Sequence, residues 1–355
     1  MKSVAEDELR ARFAAALELD ADVTVEGPAT LPGRYPVSEL AAAAVATAGA
    51  AVATLLDALG FGSPPVGVRR EYADAWFATA VRPSGWTAPP PWDPIAGDYR
   101  AADGWVRLHT NAAHHRAAAL RVLGVTGGRS AVTAEVARRP ALELQEAVVA
   151  AGGCAAQLLT PEQWAEHPQG RAVAGLPLVE RAGTAAGPST PGWRPTRERP
   201  LAGLRVLDLT RVLAGPAATR LLAGLGADVL RIDPPQWAEP ALEPEMTLGK
   251  RPARLDARGD GTLAELLAGA DVLVHGYRGG ALDGLGLSAA ERERIRPGLV
   301  DVSLTAYGQA GPWARRRGFD SLVQMSSGIA YAGPEERPAP LPVQGLDHAT
   351  GYLMA

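Results

Sequence analysis

Three loops carry residue types that could do chemistry. "TRVLAGP", Thr210 to Pro216, lies between an apolar run and a helical one. A loop so placed offers free backbone N–H groups at the positive end of a helix, which suits a phosphate or a nucleotide ring. It holds one glycine, so it is not the GxGxxG fingerprint, and Gly215 with Pro216 reads equally as a plain turn. "HGYRGGALDGLGL", His275 to Leu287, places Tyr277 and Arg278 beside paired glycines. The two side chains supply an aromatic face and a cation for an adenine or a phosphate, or they belong to a solvated loop. In "GQAGPWARRRGFDSLVQMSSG" three arginines precede Asp320. Such a cluster neutralises a polyphosphate and depresses the pKa of a nearby carboxylate, or it is wetted surface.

The elements that must hold these loops alternate. "LRVLDLT" is a β run, "PAATRLLAGLG" an amphipathic helix closed by Gly226, and "ADVLRID" a second β run, which together make a βαβ unit. "GTLAELLAGA", "DVLVHGY", "LSAAERERIRPG" and "LVDVSLTAYG" continue with helix, strand, helix and strand. This order implies an open parallel α/β sheet, with ligand crevices at the strand C-termini. The earlier part has another texture. A nearly uncharged Ala-rich helix runs within Gly33 to Leu59, and "VGVRREYADAWFATAV" gives a short strand and a helix. "DYRAADGWVRLHT" gives two strands around a turn, and "NAAHHRAAALRVLGV" a helix with Asn111 as its N-cap. "RRPALELQEAVVAAGG" is a helix closed by Gly152 and Gly153. The fold class is α/β: an open parallel sheet plus a smaller α+β lobe. The Pro-, Gly- and Ser-rich stretch from Val179 to Pro200 reads as a linker. The expected division is an N-terminal lobe over 1–190, a linker over 191–199 and an α/β lobe over 200–355.

Composition narrows the function. With 355 residues, 47% hydrophobic, the chain can bury one large core or two smaller ones. A net charge of −4 without a Lys/Arg block gives no reason to expect nucleic acid. Cys154 is the single cysteine, so there is no intrachain disulfide framework, and a reducing cytoplasm fits. The first 20 residues lack the pattern of a secretory signal. Leu40 to Leu59 is about long enough to span a bilayer, but Ala dominates it and Gly49 and Asp57 interrupt it, so a buried helix rather than a membrane span is expected. His109 on a strand and His114 and His115 on a helix do not suggest metal-ligand geometry. Carriers of serine hydrolase, zinc protease and P-loop chemistry (GxSxG, HExxH, Walker) are absent.

The segments "PLAGLRVLDLTRVLAGPAATRLLAGLGADVLRIDPP", "DVLVHGYRGGALDGLGL", "LVDVSLTAYGQAGPWARRRGFDSLVQMSSG" and "LPVQGLDHATGYL" resemble, in family order, the class III CoA-transferases. That family includes formyl-CoA and carnitine CoA-transferases and α-methylacyl-CoA racemases. The resemblance runs from about Pro200 onward and implies a Rossmann-like CoA lobe, a smaller lobe and an interlocked homodimer. It implies that Asp347, in an "LD" pair opening an apolar helix, is the nucleophile, and that Asp320 is the second acid near the thioester. It places CoA contacts on Val212, Leu213, Ala214, Arg258, Tyr277 and Arg317, beside the Arg278 already singled out. No tightly bound cofactor is implied; acyl-CoA and a carboxylic acid are the substrates. The implied activity is CoA transfer through an aspartyl mixed anhydride and an aspartyl-CoA thioester. A racemase, or a CoA-binding member without turnover, is the alternative. Asp347 also reads as a helix N-cap.

Two departures bear on this. Racemase members carry a histidine where Phe319 stands, and a phenyl ring transfers no proton. Pro234 and Pro235 occupy a place where the family often has a basic residue for the nucleotide. The N-terminal lobe resembles the later part of the same family: "YPVSELAAAAVATAGAAVATLLDAL" is similar to the helix after the catalytic aspartate, with Ser38 or Glu39 in its register. Without a CoA loop of its own this copy is expected to be catalytically degenerate. The stop at "GYLMA", mid-helix, is expected to mark a fragment of a longer fused protein rather than a permuted single copy.

Overall fold

A computed structural model of the chain describes residues 4–183, 190, 192–258 and 261–355; residues 184–189 and 191 of the expected linker lie outside the described residues. The N-terminal segment forms α1 (Val4–Leu17), β1 (Val23–Glu26), α2 (Val37–Ala58), β2 (Val66–Arg69) and α3 (Arg70–Ala78). The middle forms β3 (Gly97–Arg100), β4 (Trp105–Leu108), α4 (Ala113–Leu123), α5 (Arg129–Val136), α6 (Ala141–Ala150), β5 (Ala155–Gln157), α7 (Pro161–Glu166) and α8 (Pro168–Ala174). The rest forms β6 (Arg205–Leu209), α9 (Ala214–Gly224), β7 (Asp228–Asp233), α10 (Glu243–Met246), β8 (Arg251–Arg254), α11 (Thr262–Ala268), β9 (Val272–His275), α12 (Ala289–Ile295), β10 (Val300–Ser303), α13 (Asp320–Ser326) and α14 (Gly345–Met354).

The five strands β6 to β10 pair in parallel in the order β10-β9-β6-β7-β8. The chain enters at the central strand, moves outward to β8, then returns to the other side of β6. That order places a topological switch point between β6 and β9, where open α/β sheets bind ligands. Leu209 and His275 are register partners at the strand ends, so Thr210 and Gly276 leave the sheet side by side. β8, "RPAR", is an exposed edge strand; an edge tolerates Pro252 and needs no apolar alternation, which is why its sequence shows no strand signal.

The compact units do not follow the boundaries at 190 and 200. One unit comprises Met1–Thr87, Pro177–Leu304 and Pro342–Ala355; the other comprises Ala88–Leu176 and Thr305–Leu341. The physical cause is α2. Ala is the best helix former, and its small side chain lets neighbouring helices come close. Ala41, Ala42, Ala43 and Ala44 are fully buried, and α2 packs against α1, α3 and α14. α2 is long and apolar enough to cross a membrane by length and composition, and 56% of its most apolar window is buried in the unit.

The second unit is α+β. β3, β4 and β5 form an antiparallel sheet covered by α4, α5 and α6 around Val106, Leu108, Val132, Leu144 and Val148. The hairpin around "AADG" forms as its alternation predicts. The N-cap of α4 is Ala112, not Asn111. The Asn111 side chain instead accepts a hydrogen bond from Asp93 N (3.0 Å) and donates one to Pro91 O (2.9 Å), tying two loops together.

Candidate active site

The loop after β6 is fixed from beneath. Asp208, at the end of β6, is fully buried and accepts from Thr210 N (2.9 Å) and from the Thr210 and Thr219 hydroxyls. Lys250 Nζ donates to Asp208 Oδ2 (3.1 Å), Pro216 O (2.8 Å) and Thr219 Oγ1 (2.6 Å), which uses all three of its protons. Burial pushes the Lys250 ammonium pKa down, against the pull of Asp208. Removing either partner would leave a buried charge unpaired, so the pair acts as a clamp on the first turn of α9. Leu213 is the N-cap of α9 and supplies no side-chain cap. The N–H groups of Ala214 and Gly215 are thus available at the positive end of the helix.

At the switch point Arg211 lies between two aromatic faces, 5.2 Å from the Trp237 ring centroid and 5.4 Å from that of Tyr277. Its Nη2 also reaches the Tyr277 hydroxyl at 3.3 Å, while its Nε is buried without a hydrogen-bond partner. The structure therefore brings Val212, Leu213 and Ala214 together with Tyr277, through an arginine that no sequence motif marks. Arg278 follows Tyr277 on the exposed side. Arg258 is exposed beyond the edge strand β8, two strands from β6, with its own N–H turned to Asp256. Over the turn at Pro234 and Pro235, Arg254 of β8 donates to Pro235 O and Trp237 O, so a neighbouring strand supplies a cation there.

Asp347 is partly buried in the first turn of α14. The N-cap is Gln344, so Asp347 is the third residue of the helix and not its cap. A carboxylate there lies in the favourable field of the helix N-terminus. What places α14 is Gly351. A Cβ at that position would stand 2.5 Å from Ala214 O and 3.0 Å from Ala217 Cβ, so only glycine lets α14 settle on the first turn of α9. Asp347 and Gly351 are four residues apart and share a face, which puts the carboxylate one turn from that contact. α14 is held from behind by α3: Phe77 stacks on His348 (5.0 Å) and on Tyr352 (6.0 Å). Burial, with Arg220 nearby, lowers the His348 pKa to about 4, so the imidazole is neutral.

Asp320 and Arg317 belong to the second unit. Asp320 opens α13, is buried, and accepts from Gln324 Nε2. Phe319 before it stacks face to face on His109 at 3.8 Å, with His115 edge-on at 5.9 Å. Burial first, then the neighbouring imidazoles and arginines, lower both His109 and His115 to about 3. Arg317 donates to Gly152 O at 3.2 Å. Among the nine residues singled out in the sequence, seven thus lie in the unit of the parallel sheet and two in the other.

A five-stranded parallel sheet, with an aromatic-flanked cation and a helix start without a side-chain cap at its switch point, defines an α/β lobe. Comparison with known proteins adds to this: residues 201–355 match the family model CoA-transferase family III. The succinyl-CoA:glutarate CoA-transferase of Mus musculus is 37% identical over 173 residues, covering 44% of this chain and 40% of its own length. An acyl-CoA transferase of Gibberella moniliformis is 31% identical over 257 residues, 66% of this chain and 45% of its own. A crystal structure of a CAIB/BAIF family protein from Brucella suis is 31% identical over 44% of this chain and 47% of its own, with a TM-score of 0.41. The chain spans less than half the length of these relatives.

Proposed function

We propose that the protein transfers coenzyme A from an acyl-CoA thioester to a carboxylic acid, with Asp347 as nucleophile. The observation that carries this is the contact of Gly351 with Ala214, which sets the Asp347 face of α14 against the loop at the switch point. The CoA nucleotide lies over Val212 to Ala214 beside Tyr277, with Arg211 and Arg278 as cations for its phosphates. Arg258 is the outer contact.

Asp347 attacks the thioester carbonyl and expels CoA thiolate, leaving an acyl-aspartyl anhydride. The thiolate attacks the aspartyl carbonyl of that anhydride; the donor acid departs and aspartyl-CoA remains. The acceptor carboxylate repeats the first step on this thioester, and the returning thiolate takes the acceptor acyl group and frees Asp347. No net proton moves, and the negative charge passes between carboxylate and thiolate. N–H groups at the α9 start suit the oxyanions of these steps. Phe319, before the buried Asp320, offers no base for racemisation. The enzyme works as a cytoplasmic homodimer with no tightly bound cofactor.

Relatives named for succinyl-CoA with glutarate or malate make succinyl-CoA and short dicarboxylates the first panel. Hydroxylamine trapping after incubation with succinyl-CoA, followed by peptide mass spectrometry, should label Asp347. Absence of any adduct across the panel, with CoA still bound, would leave a CoA-binding protein without turnover. Deuterium entering the α-position of the acyl group without transfer would reinstate the racemase.

A further inference from the structure

Val212 has a backbone φ of +67°, and Glu18 is the one other non-glycine with positive φ among the described residues. A β-branched side chain is strained in that region, and such a conformation persists where its surroundings enforce it. The enforcing group is visible. Val212 N donates to Glu239 Oε1 at 2.8 Å. The other oxygen of that carboxylate, Oε2, accepts from Arg231 Nη2 at 2.8 Å.

Arg231 is itself immobile. Its side chain is fully buried in β7, and its Nε and Nη2 donate to the two Asp233 oxygens at 2.9 and 3.2 Å. The Glu239 backbone is held as well, since its carbonyl accepts from Leu242 N and Glu243 N at 2.9 Å each. One carboxylate oxygen is therefore bolted to the sheet and the other grips the strained residue of the loop. Arg231 has Asp233 as a bidentate partner already, so neutralising the buried guanidinium does not explain why Glu239 reaches the loop.

We propose that Glu239 is a positioning residue: it holds Val212 in the left-handed conformation and so presets the loop that receives the CoA nucleotide. The identity of that ligand rests on the proposed function; the grip on the loop does not. A loop already in its bound shape loses less freedom on binding, so Glu239 acts on affinity and not on the acyl chemistry.

The test has two arms. In the ligand-free protein, hydrogen exchange of the 210–216 segment, followed by mass spectrometry, should be about 10-fold faster in Glu239→Ala than in wild type, because one N–H bond restrains the strained residue. By calorimetry, Glu239→Ala should bind CoA about 10-fold more weakly, with KM for acyl-CoA raised and kcat little changed. Adding Val212→Gly should bring the affinity back to within about 3-fold of wild type, because glycine adopts positive φ without strain. A merely structural salt bridge would not be rescued that way, and the melting temperature of the double variant should stay low. Unchanged exchange in Glu239→Ala, or a double variant as weak as the single one, overturns the proposal. Wild-type protein that binds no CoA at all would defeat the CoA reading, while the exchange arm would still decide the role of Glu239.

Discussion

α2 and α14 open in the same way and are put to different use. Val37 N donates to Tyr35 O, and Gly345 N to Val343 O, both at 2.8 Å. The residue spanned is Pro36 in one case, at φ −75° and ψ 67°, and Gln344 in the other, at φ −76° and ψ 65°. Neither helix has a side-chain cap. Counting from these turns, Glu39 and Asp347 fall on the same third position, which resolves whether Ser38 or Glu39 matches the aspartate. The second position makes the difference. Ser38 Oγ donates to Asp74 Oδ2 (2.8 Å) and accepts from Leu31 N (3.1 Å); the same Asp74 oxygen takes Thr30 N (2.7 Å) and Thr30 Oγ1 (2.8 Å). In α14 that position is Leu346, and the helix is aimed by Gly351. One opening is tied into its own segment by a buried polar network. The other is seated on α9 through Gly351.

The two helix starts should differ most when their matched carboxylates are neutralised. Asp347→Asn should lower kcat/KM for CoA transfer by about 1,000-fold or more, whereas Glu39→Gln should stay within about 3-fold of wild type. Steady-state kinetics with succinyl-CoA decide it, and equal losses would mean that both openings are catalytic. Next in size is the anchor of α2: Asp74→Ala leaves the buried Ser38 hydroxyl without its acceptor and a cavity where the carboxylate was, and should cost about 3 kcal/mol in urea unfolding, with kcat of the folded fraction unchanged. Gly351→Ala should cost about 2 kcal/mol by forcing α14 off the Ala214 carbonyl, and should reduce transfer as well. The matched residue on α2 is already an alanine, Ala43, fully buried.

The smallest effect is a pH dependence. His348 has its pKa lowered by burial, and by Arg220, to about 4 in the folded protein, against 6.5 as its ordinary value. Between these values the unfolded chain binds more protons than the folded one, so stability falls as pH drops through the window and levels off below it. His109 and His115, lowered to about 3, act with the same sign. Melting temperatures at pH 7 and pH 4.5 should therefore differ less in His348→Phe than in wild type; an undiminished slope would show that His348 is not the group concerned.

The βαβ order, the helix of "PAATRLLAGLG" and the three loops after strands were legible in the residues, because each rests on local periodicity or on a turn residue. β1 and β8 were not: "VTVE" and "RPAR" are four residues each, and the second is an exposed edge without alternation. Arg211 stands in one of the three loops without a motif to mark it, since the ring faces of Trp237 and Tyr277 on either side of it come from distant parts of the chain. Glu239 carries no motif at all; the positive φ of Val212 reveals it.

Neighbours in sequence decided which segments are helix or strand, where they stop and which acids stand at their starts, through backbone preference and apolar spacing. Which of those starts faces which loop was not theirs to decide. That depended on contacts between residues far apart in the chain, such as Gly351 with Ala214 and Phe77 with His348, and on a division of the chain in which Met1–Thr87 joins the parallel sheet. Side-chain volume and buried hydrogen-bond demand select such contacts only when the whole core is assembled, and no local pattern encodes them.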